Sequence, residues 1–413
     1  MRYYVESYGC TMNFGEGRML SEYMASLGHV EVLSAEEADI VVVNTCTVVE
    51  TTEKRMVSRI SELKRMGKEV IVTGCMAKVQ PQRITVRLPS SIILPPREYG
   101  SFAGMVASKY GVAGPATKVK DSPDAIIPIA QGCLGNCTYC ITKHARGRLS
   151  SYPMESILKK FDESLESGAK EILVTAQDTA CYGFDIGTDL PALLSEMLKR
   201  DGDFRIRIGM MNPKGLARIS DGLADVMEDG RVYRFLHVPV QSGSDSVLAA
   251  MRRGYTVQEF ESVIVKMRDR IPDVSVATDV ITGFPGETEE DHESTKSLVE
   301  RLEADTLNIT RFSPRPGTEA KDMPQIHGGV SKRRSTELTE LKNRVEYGVN
   351  SRLVGKTFSA LATEWKEGTV LRTDCYRPVV VPERVPLGTR TEVEVVDCRP
   401  TYLIGRLTTD NSL

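Results

Sequence analysis

The amino-acid sequence predicts an α/β protein in three parts. These are an N-terminal Rossmann-like parallel α/β domain (residues 1–110), a central open, partial (β/α)6 barrel (122–347) and a small antiparallel β-barrel (348–413). Three observations predict it. Strand-like and helix-like segments alternate, pause at a Gly/Ala/Ser/Pro/Lys-rich stretch from Gly111 to Pro123, and resume. The second run holds six strand candidates, short of the eight of a closed barrel. After Tyr347 the pattern turns to short β-rich segments between Gly/Pro turns. At 413 residues the chain is too long for one hydrophobic core.

In the first part, Tyr3–Tyr8, Ile40–Val43 and Val70–Val72 read as strands, the last two as short buried runs. Gly17–Leu27 has helical periodicity and stops at Gly28, and Thr52–Met66 is an amphipathic helix that ends at Gly67. Strands alternating with helices imply a parallel sheet covered on both faces. The central strands are expected at 125–130, 171–176, 204–210, 234–240, 274–281 and 306–312, with helices at 154–166, 190–199, 257–270 and 289–303. A charged helix at 332–347 leads to five short strands at 357–362, 369–373, 379–381, 391–396 and 402–406.

A net charge of −3 and a pI near 6.1 exclude a whole-chain basic signature, so any nucleic-acid contact must be a local patch. No apolar run is long enough to span a bilayer, and the N-terminus lacks the apolar stretch of a signal peptide. A cytoplasmic protein with no membrane partner is expected. There the nine cysteines, an odd number, argue for metal or redox chemistry over disulfides.

Cys133, Cys137 and Cys140 form a Cys-x3-Cys-x2-Cys loop after the first central strand. Three thiolates at this spacing can hold three irons of a four-iron cluster and leave the fourth open to a chelating substrate such as S-adenosylmethionine. Tyr139 offers an aromatic surface for the adenine. Zinc sites more often show paired Cys-x2-Cys units or histidine partners, although His144 stands four residues on. Cys10, Cys46 and Cys75 each follow the C-terminal end of an N-terminal strand, the edge where open α/β sheets bind ligands. Any one of them alone would read as a core thiol. Three at matching positions point to a second open cluster site. Gly9 and Gly74 precede two of them, where a turn and a close backbone approach would help. Cys181, Cys375 and Cys398 have no partner spacing and read as bystanders.

The Cys-x3-Cys-x2-Cys loop resembles that of the radical S-adenosylmethionine superfamily. Val174–Thr179, Val238–Asp245 and Ala277–Thr288 support the likeness at the ends of the second, fourth and fifth strands. It implies that Gln177, Asp178, Gln241, Ser242, Asp279 and Gly283 contact the cofactor. Together with the N-terminal cysteines and the C-terminal barrel, the whole chain resembles the methylthiotransferases. That resemblance implies a radical SAM barrel, a C-terminal TRAM-type RNA-binding domain, two 4Fe-4S clusters, S-adenosylmethionine as radical source and methyl donor, an external electron donor and a sulfur source.

Within that family, Tyr8–Leu20, Cys137–Gly147, Thr179–Leu190 and His237–Leu248 are most similar to the archaeal and eukaryotic branch. Its substrate is N6-threonylcarbamoyladenosine at position 37, in the tRNA anticodon loop. Eukaryotic members often carry a C-terminal membrane tail, so a chain that stops at Leu413 is expected to be of the archaeal type. The substrate's carboxylate suggests a role for Arg146 and Arg148, which equally suit solvent or cofactor contacts. Lys143, Arg372 and Tyr376 are further candidates for tRNA contact, as is Trp365, though core packing is the commoner use of such aromatics. From Glu346 onward nine basic residues face nine acidic ones, so RNA binding would need the signs segregated. Two alternatives remain open: methylthiolation of a ribosomal-protein aspartate, and a non-catalytic RNA-binding iron–sulfur protein.

Overall fold

The computed structural model describes residues 1–48, 50–117, 119 and 122–408. Lys118, Lys120 and Asp121 of the expected linker lie outside the described residues. The chain forms two compact units: Met1–Asp121 with Gln131–Ser150 and Ser313–Lys321, and Ser122–Ala130 with Ser151–Phe312 and Asp322–Leu413. The loop bearing Cys133, Cys137 and Cys140 therefore belongs to the same unit as Cys10, Cys46 and Cys75.

The first unit is built on a five-stranded sheet in the order β2-β1-β3-β4-β5. Its strands are β1 (Arg2–Ser7), β2 (Val30–Glu31), β3 (Ile40–Thr45), β4 (Glu69–Gly74) and β5 (Ile92–Leu94), and every pairing is parallel. All six residues of β3 are buried, as a central strand covered on both faces requires. The helices are α1 (Thr11–Ser26), α2 (Glu50–Arg65), α3 (Cys75–Val79), α4 (Pro81–Thr85), α5 (Phe102–Tyr110) and α6 (Ile141–Arg146). Two hydrophobic layers sandwich the sheet. One gathers Val41, Val43, Met56, Ile60, Val70 and Val72, the other Tyr3, Leu20, Met24, Ile40, Val42 and Phe102. Helix α1 starts six residues earlier than its periodicity suggested, and Cys10 is its N-cap residue. The described part of the expected linker is strapped down: the N–H groups of Ala113 and Thr117 donate to the carbonyls of Leu27 and Ala25.

In the second unit, six parallel strands make an open barrel from two three-stranded sheets. Asp124–Pro128, Glu171–Thr175 and Arg205–Ile208 form one; Phe235–His237, Ser275–Thr282 and Thr306–Arg311 form the other. A bridge from Ile206 to Val232 and the bond from Met211 N–H to the His237 carbonyl, at 2.8 Å, link them. Several of the intervening helices start at side-chain caps. Thr256 with Glu259 and Thr288 with Asp291 form reciprocal capping boxes. The helix Gly328–Ser351 then leads to a closed five-stranded barrel (Thr357–Trp365, Thr369–Thr373, Pro378–Val381, Arg390–Cys398, Leu403–Leu407). Its core gathers Ala360, Leu371, Val379, Val393, Val395 and Leu403. The third and fifth of these strands pair in parallel, which corrects the expectation of a purely antiparallel barrel.

Glu346 on the long helix is almost wholly buried, with the Leu307 N–H donating to it at 2.7 Å and Lys342 at 3.8 Å. Burial pushes its carboxyl up to about 7 against the pull of that N–H and of Lys342. The folded state thus holds a proton that the unfolded chain releases near 4.5, and stability falls as pH rises from there through about 7. Glu346→Gln should therefore unfold at a higher temperature than the parent at about pH 8, with the gap closing at about pH 5. A gap independent of pH would contradict this.

Candidate active site

Three strand ends deliver Cys10, Cys46 and Cys75 to one edge of the N-terminal sheet. The register pairs Ser7 with Asn44 and Thr45 with Gly74, so β1, β3 and β4 finish level. Close approach is possible because Gly9 and Gly74 have positive φ, 104° and 82°. A Cβ on Gly9 would lie 2.6 Å from the Cys46 Cβ, and one on Gly74 would lie 2.2 Å from the Thr45 carbonyl oxygen. Cys10 is exposed, whereas Cys46 and Cys75 are buried.

Polar side chains lock these lead-ins together. Asn13, fully buried on α1, donates to the carbonyls of Tyr8 at 2.7 Å and Thr45 at 2.9 Å, and its own carbonyl accepts from Asn44 at 2.6 Å. On the other side, Glu53 accepts from Thr47 at 3.0 Å, Gln80 at 3.1 Å and Arg315 at 3.0 Å. Burial pushes the Cys75 thiol up to about 11; Arg146 pulls it down, and Cys46 and Cys10 push it further up. Thiols held protonated in this way must release protons when metal binds.

The second triplet sits on a loop braced by its own backbone. Cys133 N–H donates to the Gly147 carbonyl at 3.3 Å, Cys140 N–H to the Cys137 carbonyl at 3.2 Å, and Gly135 N–H to Cys133 Sγ at 3.1 Å. A Cβ on Gly135 would meet both Cys133 Sγ, at 3.3 Å, and Cys137 Sγ, at 3.8 Å. Helix α6 begins directly after Cys140. All three cysteines are half-buried, as is Tyr139.

Among the described residues, only Glu289, Glu293 and Glu337 bring three potential ligand atoms within 4.8 Å of one another, and Arg333 already pairs with two of them. Neither cysteine triplet is gathered that tightly. A single zinc ion with Zn–S bonds of about 2.3 Å would need its thiolates roughly 3.8 Å apart. Three thiols to a site are the donor set of an iron–sulfur cluster with an open corner.

Gln177, Asp178, Gln241, Ser242 and Gly283 lie just past strand ends in the second unit, whereas Asp279 lies within the strand Ser275–Thr282. Buried Asp178 accepts from the Asn212 N–H at 3.0 Å and from Cys181 Sγ at 3.1 Å, and burial raises its pKa. Cys181 is therefore more than a bystander thiol, since it donates to a site candidate. Gln177 lies just before Asp178. Gln241 has φ of +75°, and its buried Oε1 has no hydrogen-bond partner. Such strain and such an orphan acceptor are characteristic of ligand sites. The adjacent Ser242 hydroxyl accepts from the Ser244 N–H at 3.2 Å. Asp279 binds His237 at 3.0 Å and Asn308 at 2.8 Å. Burial alone would raise the Asp279 carboxyl, but His237 and Asn308 outweigh it and pull it down. The Gly283 N–H is taken by Glu287 at 2.7 Å, so Gly283 shapes its loop.

Several substrate candidates are placed otherwise than expected. Arg146 is 1% exposed and bidentate to Glu16, so it is no free partner for a substrate carboxylate. Lys143 is committed to the cluster loop, donating to the Gly135 carbonyl at 2.8 Å and to Asn136 at 2.9 Å. Tyr376 packs against Tyr233 and Phe235, with ring centroids 4.9 and 5.0 Å away, and Arg372 lies over its ring at 4.5 Å. This cluster belongs to the packing of the second unit. Arg148 stays exposed. Sequence reasoning missed Asn13, Glu16, Glu53, Arg315 and His237. The spacing of Asn13 and Glu16, one helical turn apart after Cys10, was the available signal. It also passed over Phe14, Val48 and Leu134, exposed apolar residues each within four positions of a triplet cysteine.

An open six-stranded barrel with a three-cysteine loop after its first strand defines the radical SAM class, and residues 127–299 match the Radical SAM superfamily. Residues 2–94 match the Uncharacterized protein family UPF0004. Among solved structures, the fold is shared with the radical S-adenosylmethionine methyltransferase TsrM of Kitasatospora setae (TM-score 0.57, 15% identity, 78% of this chain and 76% of that one). It is also shared with the cobalamin-dependent radical enzyme OxsB (TM-score 0.52, 12% identity, 83% and 56%).

Full-length relatives narrow the class. The probable threonylcarbamoyladenosine tRNA methylthiotransferase of Pyrococcus horikoshii is 39% identical, covering 99% of this chain and 100% of the relative. That of Methanocaldococcus jannaschii is also 39% identical, over 98% and 97%. The threonylcarbamoyladenosine tRNA methylthiotransferase of Xenopus laevis is 34% identical, over 99% and 77%. The chain belongs to the threonylcarbamoyladenosine tRNA methylthiotransferase family.

If Tyr376 packs rather than stacks on RNA, Tyr376→Ala should lower stability by about 3 kcal/mol, as deletions of buried aromatics do, and Tyr376→Phe should not. An unchanged unfolding temperature with weakened tRNA binding would return Tyr376 to the RNA surface.

Proposed function

We propose that this protein places a methylthio group on C2 of N6-threonylcarbamoyladenosine at position 37 of tRNA. The observation that carries the reading is the pair of three-cysteine sites in one compact unit of a chain that is similar to these methylthiotransferases along its whole length. Cys133, Cys137 and Cys140 would hold one 4Fe-4S cluster and Cys10, Cys46 and Cys75 a second, each with an iron open to a non-protein ligand. When bound, these groups supply the electron that breaks the sulfonium bond of S-adenosylmethionine and the seat from which sulfur is delivered.

The protein's own residues do the rest. Gly135 N–H holds Cys133 Sγ in place, and Gln241 offers an unpaired buried acceptor at a strand end suited to a cofactor donor. Gln177, Asp178 and Ser242 stand at the same class of position, where barrel enzymes bind their ligands, and Asp279 lies in the C-terminal half of its strand. Exposed Arg148 could take the threonylcarbamoyl carboxylate as a bidentate partner. An unpaired anticodon-loop base can be turned out into such a site at modest cost. The reading needs an external electron donor and a sulfur source. No described helix is long and apolar enough to cross a membrane.

The test is anaerobic turnover on tRNA carrying the threonylcarbamoyl group, read by nucleoside mass spectrometry. The parent should form the methylthio nucleoside; Cys75→Ala should lose it, and Cys133→Ala should lose release of 5′-deoxyadenosine as well. Methylthio product from Cys75→Ala would refute the two-site reading. Equal product on tRNA lacking the threonylcarbamoyl group would refute the substrate.

A further inference from the structure

Arg146 is the largest fully buried side chain among the described residues. It ends helix α6, six residues beyond Cys140, yet its partners are those of the N-terminal cysteines. Its guanidinium pairs bidentately with Glu16, itself 1% exposed, and Nη2 also donates to Asn13 Oδ1 at 2.8 Å. Asn13 Oδ1 lies 3.8 Å from Cys10 Sγ, and Asn13 Nδ2 donates to the carbonyl of Thr45, next to Cys46. Glu16 is 3.5 Å from the Tyr99 hydroxyl, which accepts from the N–H of Gly74, next to Cys75. One guanidinium thus touches, directly or through one or two side chains, the lead-in to every cysteine of the triplet. Its backbone is pinned in turn, because the Arg146 carbonyl accepts from Arg97 at 2.7 Å.

A buried ion pair is a costly way to hold a fold together, because desolvation offsets most of the attraction. Five fixed donors and a permanent positive charge beside a thiolate do something packing cannot. We propose that Arg146 is a positioning residue for the Cys10/Cys46/Cys75 site: it orients Asn13 directly and the lead-in to Cys75 through Glu16 and Tyr99, and sets its charge against the sulfurs, raising the reduction potential of the cluster they carry. Because α6 starts at Cys140, the same residue ties the two cysteine sites into one framework. The inference rests on the proposed function in one respect only, that the N-terminal thiolates carry a cluster.

The test uses full-length protein with Cys133, Cys137 and Cys140 replaced by Ala, so that a single centre is read by EPR during a redox titration. Failure of this parent to bind iron would refute the functional reading and is distinct from failure of the inference. Glu16→Gln leaves the guanidinium charge unbalanced and should raise the midpoint. Adding Arg146→Gln, which keeps donors but removes the charge, should then lower the reduced fraction at a fixed poise about tenfold. That corresponds to about 59 mV for one electron. Identical midpoints for Glu16→Gln and the double variant would overturn the proposal. Should the double variant fail to fold, Glu16→Gln alone decides: an upward shift supports the field of the pair reaching the cluster, and no shift overturns it.

Discussion

Three thiols far apart in sequence must reach one point, and the parallel sheet is what brings them there. Each crossover returns the chain in the same direction, so β1, β3 and β4 end on the same edge and each releases its cysteine at the same level. The price is a crowded edge where polar backbone would be stranded. Asn13 and Asn44 answer it by donating to the backbone carbonyls of Tyr8, Thr45 and Asn13. Gly9 and Gly74 answer the steric half, since any side chain there would collide with Cys46 or Thr45.

Charge is arranged around the same edge. Glu16 and Glu53 are both nearly inaccessible, and each is met by a buried arginine, Arg146 for one and Arg315 for the other. Both arginines come from segments far along the chain, yet both belong to the N-terminal unit. The site of Cys10, Cys46 and Cys75 is therefore incomplete as a product of the first hundred residues. Leaving either carboxylate unpaired would strand a charge in a poorly solvated place, at a cost of about 3 to 5 kcal/mol. Pairing both carboxylates fixes the lead-ins to these cysteines, as a site that must present a group at a fixed distance requires.

Much of this was legible in the sequence. All-apolar runs such as Ile40–Val43 announce a strand buried on both faces, and the cysteine just after each strand marks the ligand edge. The Cys133 loop is legible because its three cysteines are local. What was not legible depends on distant partners. Nothing near Arg146 reveals that Glu16, 130 residues upstream, will neutralise it, so it passed for a substrate contact. Tyr376 looked like a stacking surface because its neighbours Tyr233 and Phe235 lie more than a hundred positions away. The start of α1 was hidden because buried Asn13 and Glu16, and two glycines, interrupt its apolar stripe. The parallel pairing inside the C-terminal barrel joins strands with no local cue to their direction.

The account stands on two separate clusters in one chain. Iron and sulfide analysis with Mössbauer spectroscopy of anaerobically reconstituted protein measures this directly. The account predicts about eight irons per chain, falling to about four when either cysteine triplet is replaced by alanine, all as 4Fe-4S centres. About four irons in the parent, or no loss on replacing Cys10, Cys46 and Cys75, would contradict it.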